Sequence, residues 1–404
     1  MSGKWPGGFI KKTAPTVVGP VDGEGGSASG IWTLDQAADY EQRGLWPMPV
    51  LDRALYSWGQ ATSGQLGNGS TANTSSPAQI GALTIWELPF AGAAFGGAIT
   101  RAGALWMWGA NANGSLGDGT LVNKSSPIQV GALTNWQSAS GGAYHTLATT
   151  TDGKLYAWGY NGVGNLGLGD TVKRSSPVQV GALTTWSKVA CGQNQTLATK
   201  TDGTLWAWGG NNSGQLGDGS TVNKSSPIQV GALTTWLNIA AGYYHSVATT
   251  TDGKLYAWGL NNYGQIGDGT VTNRSSPVQV GALTTWSAPS AGTQWSLSTK
   301  TDGTVWTWGM NTYGQLGDGT TTARNSPVQV GALTTWSQVE AGSFSGYAIK
   351  TDGTFWDWGR NHNGQLGLGN LTDYSSPVQV GALTTWSVLA RMSRSFAPLA
   401  TTKS

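Results

Sequence analysis

From residue 237 the chain runs through LNIAAG, SVATTT, KLYAWG and SPVQV, with a polar TDGK and a long glycine- and asparagine-rich stretch between them. Within these runs apolar residues alternate with small or polar ones, the period of two that sends successive side chains to opposite faces of a strand. β-Branched and aromatic residues dominate, and the Asp-Gly of TDGK is a tight-turn signal. The pattern predicts four short antiparallel strands at 237–242, 246–251, 254–259 and 276–280. It leaves no window long enough for an amphipathic helix.

The pattern returns every fifty residues without insertion or deletion. Trp-Gly stands at Trp58, Trp108, Trp158, Trp208, Trp258, Trp308 and Trp358, and a second tryptophan at Trp86, Trp136, Trp186, Trp236, Trp286, Trp336 and Trp386. A fixed period of this length marks a solenoid, a propeller or an array, and tandem four-stranded units close as the blades of a ring. Seven copies predict an all-β, seven-bladed β-propeller. The first unit opens at DRALYSWG with only its third and fourth strands, while SVLARMSRSFAPLATTKS after Trp386 supplies only a first and a second. Together they predict a split closing blade, which removes the open edges that template aggregation. Residues 51–404 are read as the propeller and residues 1–50 as a separate N-terminal segment.

The third strand carries the packing logic. Leu255 and Ala257 face one way, Tyr256 and Trp258 the other. Small residues opposite large aromatics suit blades stacked face to face, and fourteen repeat tryptophans are expected to dominate the core. Gly264 and Gly267 of GQIG are expected where a side chain would be blocked or the backbone turns left-handed.

The string LYAWG, GQIGDG, SSPVQV, AAG and SVATTTDG, carried over residues 53–402, resembles the regulator of chromosome condensation 1 (RCC1) repeat family. The resemblance implies a seven-bladed propeller with the same split blade. Its members' activities are diverse: nucleotide exchange on a small GTPase, chromatin docking, and inhibition of a β-lactamase by a secreted bacterial relative. Fold alone therefore does not assign function.

Composition narrows the classes. With 10% charged residues and a formal net charge of +2 over 404 residues, neither nucleic acid nor an anionic membrane is an expected partner. No apolar run reaches signal-peptide or membrane-spanning length. The single Cys191 replaces Ala or Gly and is read as a small core filler. His145 and His245 share one repeat position, where the RCC1 resemblance implies a packed, hydrogen-bonded histidine, while His362 stands in a loop. No metal-ligand spacing occurs, Asp118, Asp218, Asp268 and Asp318 read as turn residues, and Glu87 and Glu340 form no acid–base pair. The expectation is a non-enzymatic protein without metal or cofactor.

Copies alike elsewhere diverge on one side. Antiparallel order puts the loop between strands one and two beside the loop between strands three and four. At the inner loop the chain offers Tyr144, His145, Tyr243, Tyr244, His245, Gln294, Trp295, Phe344 and Arg394; after Trp-Gly it offers Tyr160 and Arg360. These are interface-anchoring residue types, so this face is the candidate recognition surface. The opposite side, built from TDG turns and GALTTW, scarcely changes.

Residues 1–31 hold little to bury and read as an extended arm, followed by a short helix in TLDQAADYEQRG with Thr33 as N-cap and Gly44 as stop. GGFIKKTAPT and SGIWTLDQAADYEQRGLWP look similar to N-terminal segments of bacteriophage virion proteins, marine phages especially. The resemblance implies a virion component, a tail fibre or tail-associated binding protein present in multiple copies. Its attachment arm would use Trp5, Phe9, Ile10, Trp32, Leu34, Tyr40 and Trp46 against other virion proteins, and its propeller would meet a host-surface protein or glycan. A head decoration protein, or a cellular GTPase regulator or inhibitor, is the alternative.

Overall fold

The computed structural model describes residues 52–392 and 399–403, and in these the chain forms seven sheets with no helix. Six blades follow in chain order over 86–129, 136–179, 186–229, 236–279, 286–329 and 336–379. Blade 7 is assembled from both ends, in the order Thr74–Gln79, Arg53–Gly59, Leu399–Lys403 and Trp386–Leu389. Tyr56 pairs with Ala400, and Trp386 with Thr402, so the split blade is a continuous antiparallel sheet. The helix expected after Thr33 and all seven arm residues from Trp5 to Trp46 lie outside the described residues, as does Arg394.

Strand positions follow the pattern to within two residues. In blade 4 they are Trp236–Ala241, His245–Thr250, Leu255–Gly259 and Arg274–Gln279. The second strand opens one residue earlier than alternation suggested, on His245. The fourth starts two residues earlier because Arg274 pairs with Gly259 across a bulge that accommodates Pro277, which has no N–H to donate.

The first strand of each blade lies innermost, with 186–191 packed between 136–141 and 236–241. Blades meet through a repeated interface. Leu205, Ala207, Leu216 and Val230 of blade 3 receive Trp236 and Trp258 of blade 4, whose rings sit 6.1 Å apart. Burying one such tryptophan contributes on the order of 4 kcal/mol before entropy is counted. The Trp258 indole N–H donates to the Gln215 carbonyl of blade 3 at 2.9 Å. Gly217, at φ +77°, makes that approach possible, since a Cβ there would lie 2.7 Å from Trp258 Nε1. Every blade repeats this bond to the blade before it.

One element had no period to reveal it. Beyond Leu389 the chain leaves blade 7, and Arg391–Met392 add a short parallel strand against Phe90 and Ala91 on the inner edge of blade 1.

Candidate functional site

In blades 1 to 6 the two variable loops are joined at their backbones. Tyr160 N–H donates to Tyr144 O at 2.8 Å, Leu260 to Tyr244 at 2.8 Å, Met310 to Gln294 at 2.9 Å and Arg360 to Phe344 at 3.0 Å. The glycine after each repeat tryptophan allows this: at Gly259, φ +104°, a Cβ would stand 2.4 Å from Tyr244 O. Inner and outer loops thus present one surface.

That surface is organised by junctions between blades. In blade 2, Tyr144 and Tyr160 meet edge to face at 6.3 Å, and a Cβ on Gly162 would lie 2.1 Å from the Tyr160 hydroxyl. In blade 3, a Cβ on Gly210 would be 3.2 Å from Asn194 Cβ and 3.7 Å from Val163, which belongs to blade 2. At this junction one blade's inner and outer loops therefore meet the preceding blade's outer loop. Tyr144 is 47% exposed, and Tyr160, Tyr243, Tyr244, Gln294, Phe344 and Arg360 are half-buried. Tyr243 and Tyr244 pack edge to face at 4.3 Å.

Three expected members of this surface are not on it. His145, His245 and Trp295 are each 0% exposed. The inner loop is short, so the residue after it already pairs in the second strand and points at the next blade. His145 Nε2 lies 3.1 Å from Thr196 Oγ1, His245 Nε2 2.9 Å from Ser296 Oγ, and Trp295 Nε1 donates to Ser343 O at 3.2 Å. Gly142 and Gly242 clear the space, since a Cβ on either would fall within 2.4 Å of the imidazole below it. Burial depresses both histidines to about 3, so they pack as neutral rings.

The most elaborate junction joins blades 5 and 6. Tyr313 meets Phe344 at 5.4 Å and His362 at 5.8 Å, and the Arg360 guanidinium stands 5.1 Å from the Tyr313 ring and 5.7 Å from Phe344. Arg360 Nε donates to His362 Nδ1 at 3.2 Å, and His362 Nε2 faces Asp373 Oδ2 at 3.2 Å. Tyr313 and Asp373 did not emerge from the sequence as site residues. A signal existed, because the residue before the GQLG glycine varies through Ser63, Asn113, Val163, Ser213, Tyr263, Tyr313 and Asn363.

The opposite side is less uniform than its turns suggested. In blades 3, 5 and 6 a lysine at the end of strand two covers a tryptophan: Lys200 Nζ is 3.6 Å from the Trp206 ring, and Thr204 accepts that indole's N–H at 2.9 Å. In blades 2 and 4 the set is exchanged, with Thr250 and Tyr256 in place and Lys254 paired to Asp252 at 2.7 Å. At the ring axis a cavity of about 110 Å³ is lined by residues such as Lys188, Asn238, Ser290 and Glu340. Its polar groups stitch inner strands together: Lys188 Nζ donates to Asn238 Oδ1 at 2.8 Å, and Ser290 Oγ to Glu340 at 2.7 Å. Among the described residues no group of three His, Cys, Asp or Glu side chains converges as a metal site would require. Cys191 is buried, its thiol pushed up to about 12 and held against Ser140 O at 3.3 Å, as a core filler.

Solved structures with the same architecture place this fold among known proteins. Human WBSCR16 superposes with a TM-score of 0.78 at 21% identity, covering 87% of this chain and 99% of its own. Prp20p from Saccharomyces cerevisiae, the yeast RCC1, does so at 0.75 with 20% identity, covering 88% and 92%. No curated protein is significantly similar in sequence. The regulator of chromosome condensation (RCC1) repeat is matched over residues 53–100, 102–149, 152–199, 202–249, 252–298, 302–349 and 352–390, and a second form of it over 136–165, 186–215 and 236–265. With the repeat accounting for every blade, the chain belongs to the RCC1 repeat family.

Proposed function

We propose that this chain is a non-enzymatic binding protein whose propeller presents its variable junctions to a partner. In our reading residues 1–50 fasten it to a virion as a tail fibre or tail-associated protein. The observation that carries the first part is an asymmetry: the side on which the copies diverge also exposes Tyr144 and half-exposes Tyr244, Phe344 and Arg360. Aromatic and arginine side chains on a rigid frame are the usual anchors of protein interfaces. A yeast protein of the same fold is described as binding Gsp1p and histones, a precedent for protein partners. The virion assignment rests on the resemblance of GGFIKKTAPT and SGIWTLDQAADYEQRGLWP to phage leaders. Family membership favours a second reading, a cellular interaction module, which would use the same face.

Two variants separate the parts. Changing Tyr144, Tyr244 and Phe344 to Ala is expected to abolish partner binding while the chain stays folded. Removing residues 1–50 is expected to leave binding intact and prevent incorporation into particles. Normal incorporation of the truncated chain would leave the binding module without the virion role.

A further inference from the structure

The junction of blades 5 and 6 differs from the others in kind, because the position after Trp-Gly is Gln60, Ala110, Tyr160, Gly210, Leu260 or Met310 elsewhere and a cation, Arg360, here. Outer-loop aspartates have cationic partners, Asp118 with Lys124 at 3.5 Å, Asp218 with Lys224 at 3.4 Å, Asp268 with Arg274 at 2.6 Å and Asp318 with Arg324 at 2.9 Å, whereas Asp373 faces the His362 imidazole at 3.2 Å. Asp170 is paired to Arg174 at 2.6 Å. The Arg360 guanidinium has no carboxylate partner among the described residues; its one side-chain hydrogen bond among them goes from Nε to His362 Nδ1 at 3.2 Å.

That bond fixes the guanidinium rather than neutralising it. With Nδ1 accepting, the imidazole carries its proton on Nε2 and donates it to Asp373, so the Arg360, His362 and Asp373 chain is ordered in one direction. The rings of Tyr313 and Phe344, 5.1 and 5.7 Å from the guanidinium carbon, favour the cation and limit where its plane can lie. What remains is the pair of terminal nitrogens, a planar fork that matches a carboxylate.

We propose that Arg360 is the anchor for an aspartate or glutamate side chain of a partner protein, received at the blade 5–6 junction with Tyr313 and Phe344 packing against the flanking residues. The inference rests on the variable face being the binding face. A single guanidinium suits one carboxylate; it does not suit a polyphosphate or a nucleic-acid backbone, whose recognition draws on many cations. His362 is a positioning residue, since it touches the anchor and not the ligand.

The test is a selection of displayed random peptides against the full chain. Enriched peptides are expected to hold Asp or Glu at one fixed position. Their affinity should fall at least tenfold for Arg360→Ala and nearly as far for Arg360→Lys, which keeps the charge and loses the fork. Lys173→Ala, at an exposed lysine of another blade, should leave it unchanged. His362→Ala should weaken binding several-fold and His362→Gln restore it, because the glutamine amide oxygen can accept the same Arg360 proton. Enriched peptides without an acidic position, binding that survives Arg360→Ala, or displacement by inorganic phosphate well below the acetate concentration needed would each overturn the anchor. If binding survives Arg360→Ala but is lost with the Tyr144, Tyr244 and Phe344 changes, the proposed function stands without this inference. If it survives both, neither stands.

Discussion

Trp58 donates its indole N–H to the carbonyl of Gln365 at 3.0 Å, joining residues 307 apart in sequence. The bond is the same one that Trp108 makes to Gln65 at 3.1 Å and Trp358 makes to Gln315 at 2.8 Å, so the ring closes with the contact that builds it. Gly367, at φ +66°, lets the Trp58 ring approach, and Phe355 packs on that ring edge to face at 5.2 Å.

Closure is therefore expected to depend both on Trp58 and on the C-terminal strands that complete its blade. Trp58→Ala should cost about 3 to 5 kcal/mol in chemical denaturation, the range for deleting a buried aromatic. Deleting residues 387–404 should remove the cooperative transition, since Arg53–Gly59 would lose its pairing with Leu399–Lys403. A deletion product that melts like the full chain would refute the split blade as the closing element.

The two lysine arrangements on the turn side should behave as interchangeable sets. Lys200→Thr alone is expected to cost about 1 kcal/mol by removing an ammonium from between the Trp186 and Trp206 rings. The combination Lys200→Thr, Thr204→Lys and Trp206→Tyr rebuilds the set seen at Thr250, Lys254 and Tyr256, and should recover most of that loss. Strict additivity of the three changes would mean the sets are not coupled.

Asp357 occupies a position that is Ala257 in blade 4 and Thr307 in blade 5 and is 0% exposed; neither carboxyl oxygen makes a hydrogen bond among the described residues, the Trp58 indole N–H beside it going to Gln365 O. Burial raises its pKa well above the usual carboxylate value. The sign follows: below the unfolded carboxylate range both states are protonated, and as pH rises only the unfolded chain ionises. Stability should fall by about 1.4 kcal/mol per pH unit from that point up to the folded pKa. Thr307 Oγ1 donates to Leu316 O at 2.7 Å, so Asp357→Thr, able to reach the equivalent carbonyl, should flatten this slope and stabilise the chain at pH 8. An unchanged slope above the unfolded carboxylate range would place the titration elsewhere.

His145 and His245 carry the opposite sign. Their pKa values, lowered to about 3 by burial, make stability full above the unfolded histidine pKa and lost as pH falls toward the folded one. Gln195 fills the same position in blade 3, donating to Gly242 O at 3.0 Å. His245→Gln should therefore reduce the loss of stability at pH 4 by on the order of 3 kcal/mol, read from denaturation midpoints across pH.

Much of this architecture was legible because its determinants are periodic. Trp58 and Trp86 and their repeats mark the blade interfaces, and the glycines of GQLG mark where one blade's loop meets the next blade's tryptophan. The recognition surface was legible only in outline. Whether the residue after AG-x-x is exposed depends on where strand two begins, and a shift of one residue turns His245 and Trp295 from the surface into the interface. Arg391–Met392 is too short to show alternation, and the meeting of Tyr313 with Phe344 and His362 is a contact between blades that no local pattern contains.

The central claim is that the variable junctions form the binding face, and hydrogen–deuterium exchange of the full chain with and without a bound partner tests it most directly. Protection is expected in the inner and outer loops around Tyr144, Tyr244, Phe344 and Arg360, with exchange in the turns at Asp252 and Asp302 unchanged. Protection confined to those turns and to the GALTTW loops, with the junctions unaffected, would contradict it.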